Sequence, residues 1–235
     1  MRRTLVVSDI HGCIKPFNRL LEQEGYNPAE DQLILLGDYV DRGPQSKEVV
    51  ERVIELVREQ GAIALRGNHD HRFAQLIRTN LPDTKARFLK YGGVATLSSY
   101  VKASKPPKPL TTSNAKIQYI RKHYASHIEF LEQLPLYHED EQHIYVHAGI
   151  NPKYARWQDQ PEHDFMYIRD EFHYSKLETE KTVVFGHTKT SKLHASSNIW
   201  FGEGKIGIDG GCAYGKQLNM LIYEEGTYRA AYVLG

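Results

Sequence analysis

A chain of 235 residues with 40% hydrophobic and 25% charged side chains is long enough to bury one sizeable core. Its formal net charge of +1 gives no electrostatic reason to expect nucleic acid or a membrane surface as a bulk partner. Cys13 and Cys212 are its two cysteines, too few for a disulfide framework, so a reducing cytoplasmic setting is the expectation.

Thr4 to Val7 reads as a buried strand that ends at Ser8-Asp9, and the break at Asp9 is unlike a signal peptide. No apolar run approaches the roughly 18 residues of a membrane span. Phe17, Leu20 and Leu21 recur at helical spacing after Pro16. Leu33 to Leu36 is a second strand, followed by GDYVDRG and a helix through Val49, Val50, Val53, Ile54 and Val57. Ile63 to Leu65 is a third, ending at Arg66-Gly67-Asn68-His69-Asp70, with a helix from there to about Thr79. Three strand–loop–helix units predict an α/β fold with parallel neighbours, whose ligands bind beyond the carboxyl ends of the strands.

Residues 81–134 read as helices around the lysine- and proline-rich KASKPPKPLTTSN, a helical and loop insertion within one domain spanning 1–235. That segment is read as a surface loop, with a lid over the site as the alternative. Further strands are expected at Ile144–Val146 and Thr182–Phe185, ending at His147 and at Gly186-His187. The tail holds candidate strands at Lys205–Ile208, Leu218–Tyr223 and Tyr228–Leu234, expected to run antiparallel.

Five strand ends therefore carry oxygen and imidazole donors: Asp9 with His11, Asp38, Asn68, His147, and His187. A single Asp-x-His is commonly just a satisfied polar pair, but a set at five strand ends points to metal. The donors suit Mn²⁺, Fe²⁺ or Zn²⁺. Six of them suit two ions sharing a carboxylate, and two ions about 3.5–4 Å apart can hold a water between them and lower its pKa towards ~7. Arg42, beside Asp38, has the planar fork that matches phosphate oxygens, and Arg169 is a second candidate. His69 is placed to protonate a leaving oxygen, with Asp41 holding its imidazole. The eight other histidines are assigned no role.

In order and spacing, SDIHG, GDYVDRG, GNHD, VHAGI and FGHT resemble the phosphoprotein phosphatase family of calcineurin-like metallophosphoesterases. The resemblance implies a sandwich of two mixed β-sheets flanked by helices. It implies that Asp9, His11 and Asp38 hold one ion, and that Asp38, Asn68, His147 and His187 hold the other. It implies an acid dyad of His69 and Asp41, with Arg42 and Arg169 on phosphate. Asp70, VHAGI and YGGVATLSSY lean towards the bacterial branch that includes diadenosine tetraphosphate hydrolases. FGHT followed by lysine lacks the second histidine of nuclease-type relatives.

Two functions share this core: a serine/threonine protein phosphatase, with phosphotyrosine as a further substrate, placed slightly ahead, and a bis(5'-nucleosyl)-tetraphosphatase. The partner is thus a phosphorylated protein or a dinucleoside polyphosphate. The walls around Lys90–Leu110 and Trp157 are expected to discriminate, with Trp157 or Tyr214 available to stack on adenine. A non-catalytic phosphate-binding scaffold would lack ligands or the acid, and none is missing. Cys13 and Cys212 are read as small buried residues, with a redox pair as the alternative.

Overall fold

Apolar residues point to both sides of the leading strands. On β1 (Arg3–Val7), Leu5 and Val7 face one core and Val6 faces another; on β2 (Asp31–Leu35), Leu33 and Leu35 face the first and Ile34 the second. Successive side chains alternate across a strand, so a sheet built this way must be covered on both faces. The computed structural model of the chain, which describes residues 2–104, 106 and 109–235, shows what covers it.

The first sheet has the order β10-β9-β1-β2-β3, with β3 (Ile63–Ala64) parallel to β2 and β2 parallel to β1. β9 (Gln217–Glu224) runs antiparallel to β1 and to β10 (Thr227–Leu234). The second sheet has the order β4-β5-β6-β8-β7. Its centre is parallel, through β5 (His143–Val146), β6 (Thr182–Phe185) and β8 (Lys205–Gly207). β4 (Tyr137–Glu139) and β7 (Trp200–Gly202) are its antiparallel edges. Val6, Ile34 and Leu221 of the first sheet pack against Tyr145, Val184 and Ile206 of the second.

Helices α1 (Ile14–Gln23), α2 (Ser46–Gln60) and α3 (Asn68–Thr79) cover the outer face of the first sheet. Phe165 of α8 (Glu162–Tyr167) and Phe172 of α9 (Asp170–His173) pack behind the second with Val183 and Phe185. The fold is thus the expected pair of mixed sheets flanked by helices. Between β3 and β4 run α4 (Pro82–Phe88), α5 (Val94–Ser104), α6 (Ser113–His123) and α7 (Ala125–Gln133). Phe88, Tyr100, Ile117 and Leu131 from these helices enter the same core as α1–α3. Lys105, Pro107 and Lys108, at the centre of the segment considered as a lid, lie outside the described residues. Among the described residues no helix is long and apolar enough to cross a membrane.

One expectation is corrected. The strand at Lys205 does not join an antiparallel tail; it lies in the second sheet, parallel to β6. Its edge partner β7, like β4, has only three residues, too short for a period of two to be read.

Candidate metal centre

The ends of β1, β2, β3, β5 and β6 converge on one edge of the sandwich, and the loops leaving them are tied by main-chain hydrogen bonds. The Asp9 and His11 amides donate to the carbonyls of Gly37 and Asp38 at 3.1 and 2.9 Å, and the Gly43 amide donates to the His11 carbonyl at 2.9 Å. Gly37 sits at φ 102°, where a Cβ would lie 2.5 Å from the Gly67 nitrogen, so glycine there lets the GDYVDRG and GNHD loops touch. Among the described residues, the non-glycine positions with positive φ are Asp9, His11, Asp38, Asp41, Arg42, His187, Asn80 and Glu225. The first six are candidate site residues. Such backbone costs of order 1 kcal/mol or more per residue, and its concentration here marks a site whose geometry the surrounding fold imposes.

The structure brings the six expected donors together. His11 Nε2 lies 3.4 Å from Asp38 Oδ2 and 3.8 Å from Asp9 Oδ1. His147 Nε2 lies 3.5 Å from Asp38 Oδ1, on the opposite side of that carboxylate. The Asn68 carboxamide oxygen is 3.1 Å from His147 Nε2 and 3.0 Å from His187 Nδ1. His11, Asp38 and His69 make one group able to hold an ion, and Asp38, His147 and His187 make another. Asp38 is common to both.

The chemistry of these atoms fits divalent cations. His11 Nδ1 is 2.7 Å from the Val40 carbonyl and His147 Nδ1 is 2.9 Å from the Leu36 carbonyl. Each Nδ1 therefore carries the proton and each Nε2 turns a lone pair inward. His187 is reversed: its Nε2 accepts from Arg169 Nε at 3.0 Å, and Nδ1 faces inward. That places the neutral ring's proton on Nδ1, facing the Asn68 oxygen, so the lone pair that meets that oxygen is the one on His147 Nε2; holding an ion at His187 Nδ1 would require that proton to leave. Without a cation the Asn68 amide is better satisfied turned over, its NH₂ facing Asp38, His147 and His187; with its oxygen inward it has the orientation of a metal ligand.

The electrostatics agree. Burial holds His11 and His187 well below the ordinary imidazole range, so both are neutral donors. Burial, reinforced by the charge on Asp38, pushes the Asp9 and Asp70 carboxyls up; burial and Asp9 do the same to Asp209. Burial alone would also raise Asp38, but positive charge around it, on whichever of His147, His69 and His11 carries a second proton and on Arg42, holds it well below its usual value. So many carboxyls crowded out of water require positive charge among them.

Around this centre stand the other expected residues. His69 Nδ1 lies 2.6 Å from Asp41 Oδ2, and Asp41 Oδ1 accepts from the Thr96 hydroxyl at 2.6 Å. The Arg42 guanidinium turns to His11 Nε2 and lies 2.8 Å from His69 Nε2. Arg169 is exposed and reaches the centre through His187. A cavity of about 950 Å³ opens over Asp38, Asn68, His69 and His187, with Arg42 and Arg169 in its wall.

Sequence reasoning missed several parts. Asp70 accepts from the amides of Asp38, Tyr39 and Gly67 at 2.7, 2.9 and 3.0 Å, splinting the GDYVDRG and GNHD loops. Thr96 lies within YGGVATLSSY, which drew notice only as a resemblance. Asp209, buried beside Asp9, lies in IDGGCAYG. Of the aromatics considered, Trp157 packs against Tyr137 and Phe165, whereas Tyr214 lines the cavity, 52% exposed. Cys13 is half-buried and Cys212 buried; hydrogen bonding between the two thiols lowers the first and raises the second.

A family model described as calcineurin-like phosphoesterase matches residues 2–214. The bis(5'-nucleosyl)-tetraphosphatase PrpE (asymmetrical) of Anoxybacillus flavithermus is 28% identical over 244 residues, covering 94% of this chain and 90% of that protein. A solved structure of a candidate diadenosine tetraphosphatase superposes with a TM-score of 0.67 at 23% identity, covering 98% of this chain and 93% of that one. The cold-active protein-tyrosine phosphatase of a Shewanella species superposes with a TM-score of 0.64 at 16% identity, covering 100% and 80%. Both structural likenesses, at these identities, speak for a common fold.

Proposed function

The chain belongs to the calcineurin-like phosphoesterase family, and we propose that it hydrolyses dinucleoside polyphosphates of the bis(5'-nucleosyl) tetraphosphate kind. That it is a metal-dependent phosphoester hydrolase follows from the family and the relatives' names. The finer reading is supported by one observation above others. The cavity over the centre, about 950 Å³ and walled by arginines, is larger and more cationic than a single phosphoryl group needs. The 28% identity to a tetraphosphatase over 94% of the chain supports it further. A protein phosphatase, placed slightly ahead by the sequence, is supported by likeness of fold alone.

In this reading Asp9, His11, Asp38, Asn68, His147 and His187 hold two divalent ions, with Asp38 shared. Such ions, manganese in the test tube and iron or zinc as alternatives, supply Lewis acidity and acidify water. Arg42 and Arg169 orient the phosphoryl group by charge-assisted hydrogen bonds. His69 Nδ1–H donates to the Asp41 carboxylate, so in the charged imidazolium Nε2–H is the bond that gives its proton to the departing phosphate oxygen. Thr96 and the buried Asp41 carboxylate fix that imidazole in place.

The test is turnover of diadenosine tetraphosphate beside a phosphoserine peptide, with Mn²⁺ added. The dinucleotide should be preferred in kcat/KM by at least about tenfold, a difference of ~1.4 kcal/mol in transition-state binding. A preference for the peptide would replace this reading with the protein phosphatase one.

A further inference from the structure

The cavity contains more positive charge than the reaction centre uses. Besides Arg42 and Arg169, its wall carries Arg72, Arg87 and Lys90, against the carboxylates Asp38 and Asp83. Among the described residues no carboxylate lies within ion-pair distance of Arg42, Arg72, Arg87, Lys90 or Arg169. Cations on a protein surface are ordinarily interspersed with acids, and a cleft lined by one sign of charge concentrates ligands of the other. Asp38 belongs to the metal set, so Asp83 is the one carboxylate left to offset the outer three.

The outer three are held together by the chain's own construction. Arg72 lies one turn beyond Asn68 on α3, so the two share a helix face. Arg87 lies in the last turn of α4, and Lys90 and Tyr91 follow in the turn that leads to α5. That turn closes at Gly92, φ 102°, where a Cβ would stand 2.9 Å from Arg42 Cγ. The Arg42 amide donates to the Gly92 carbonyl at 3.2 Å. Gly92 thus sets the basic flank directly against the loop that carries Asp38, Asp41 and Arg42. Tyr91, 46% exposed, carries two of the cations on its ring, Arg72 at 4.9 Å and Lys90 at 5.6 Å from the centroid. Cation–π contact orients these heads without neutralising them. Among the described residues Arg72 Nη1 has no hydrogen-bond acceptor, while the rest of that guanidinium is met by Tyr167 and, with its amide turned over, by Asn68; a guanidinium nitrogen left unpaired under cover is costly until something accepts from it.

We propose that Arg72, Arg87 and Lys90, organised by Tyr91, form a second anion subsite that takes the distal phosphates of a polyphosphate chain whose reacting phosphorus sits between Arg42 and Arg169. This rests on the proposed function and names the part of the wall that makes a long phosphate chain a better ligand than a single phosphate. Tyr91 is a positioning residue, and the three cations are specificity residues.

Isothermal titration of the protein in EDTA, with inorganic tripolyphosphate and separately with orthophosphate, tests the subsite without competition from free metal. The native chain should bind tripolyphosphate at least about tenfold more tightly than orthophosphate, the equivalent of about one extra charge-assisted contact. In the double variant Arg87→Gln/Lys90→Gln, two exposed substitutions whose folding is checked by thermal unfolding, the ratio of the two affinities should fall to about two or less. Tyr91→Leu should reduce the ratio part of the way. A ratio near one in the native chain, or a native ratio retained by the double variant, overturns the subsite. The outcomes separate from those of the substrate test. A subsite that binds tripolyphosphate as expected in a protein that leaves diadenosine tetraphosphate intact keeps this inference and removes the substrate. Cleavage of the dinucleotide with an unmoved ratio does the reverse.

Discussion

His69 Nδ1 and Asp41 Oδ2 lie 2.6 Å apart, both side chains buried, and Thr96 holds the other oxygen of the carboxylate. An imidazole gripped at one nitrogen has its other nitrogen's position and proton set for it. Replacing His69 by Asn should lower turnover by about 10²–10⁴-fold, the usual worth of a positioned acid, while metal content measured by elemental analysis stays near that of the native chain. Asp41→Asn should give a smaller loss and a moved pH–rate profile. Native turnover in His69→Asn would remove the acid assignment.

Asp38 stands between the two donor groups, its oxygens 3.4 Å from His11 Nε2 and 3.5 Å from His147 Nε2. Asp38→Ala should weaken both ions by more than about 100-fold, exceeding the cost of losing an outer-shell partner. Equilibrium dialysis against Mn²⁺ or Zn²⁺ measures this directly. A variant that still takes up two ions per chain defeats the shared-ligand arrangement.

Asp70 is fully buried and accepts three main-chain amides from two loops. Asp70→Ala leaves those amides without an acceptor, a loss of about 2–5 kcal/mol. For a domain of this size that corresponds to a fall in Tm of roughly 5–15 °C. Calorimetry checks it, and Asp70→Asn, which retains an acceptor oxygen, should recover part of the loss. A Tm within a degree or two of native for the alanine variant would show that the loops are held by other means.

His173, packed against Phe172 and Phe185, is driven by burial down to about 4. Lys205 and Arg169 add to that shift, while Asp170 and Glu171 oppose it. An unfolded imidazole takes its proton near pH 6.5, and the folded one does so only near 4. Between those values the unfolded state binds more protons, so stability falls as pH falls. Urea midpoints of the metal-free protein should decline from pH 7 to pH 4.5, and His173→Leu should narrow the gap. An equal or wider gap in the variant would count against the assignment.

Much of this molecule was legible along the chain. Short continuous runs of β-branched and aliphatic residues placed β1, β2 and β6, because a strand buried on both faces needs apolar side chains at successive positions. The donor types at the strand ends were visible because each motif is contiguous. Shorter signals failed. Three-residue edge strands carry no period, and Asp70 reads as a motif residue until the amides it accepts are seen.

By itself, then, the sequence determined which candidate donors and cations stand at the strand ends, since chemical type and local spacing are properties of neighbours on the chain. Only the tertiary structure decided which atoms meet. The His187 amide donates to Asp9 Oδ2 across 178 residues at 2.9 Å, His187 turns Nδ1 towards Asn68 and Nε2 towards Arg169, and Arg72, Arg87 and Lys90 come to line one wall beside a turn at Gly92. Such meetings depend on how two sheets and their helices pack, a free-energy balance over the whole core, and no local pattern carries that information.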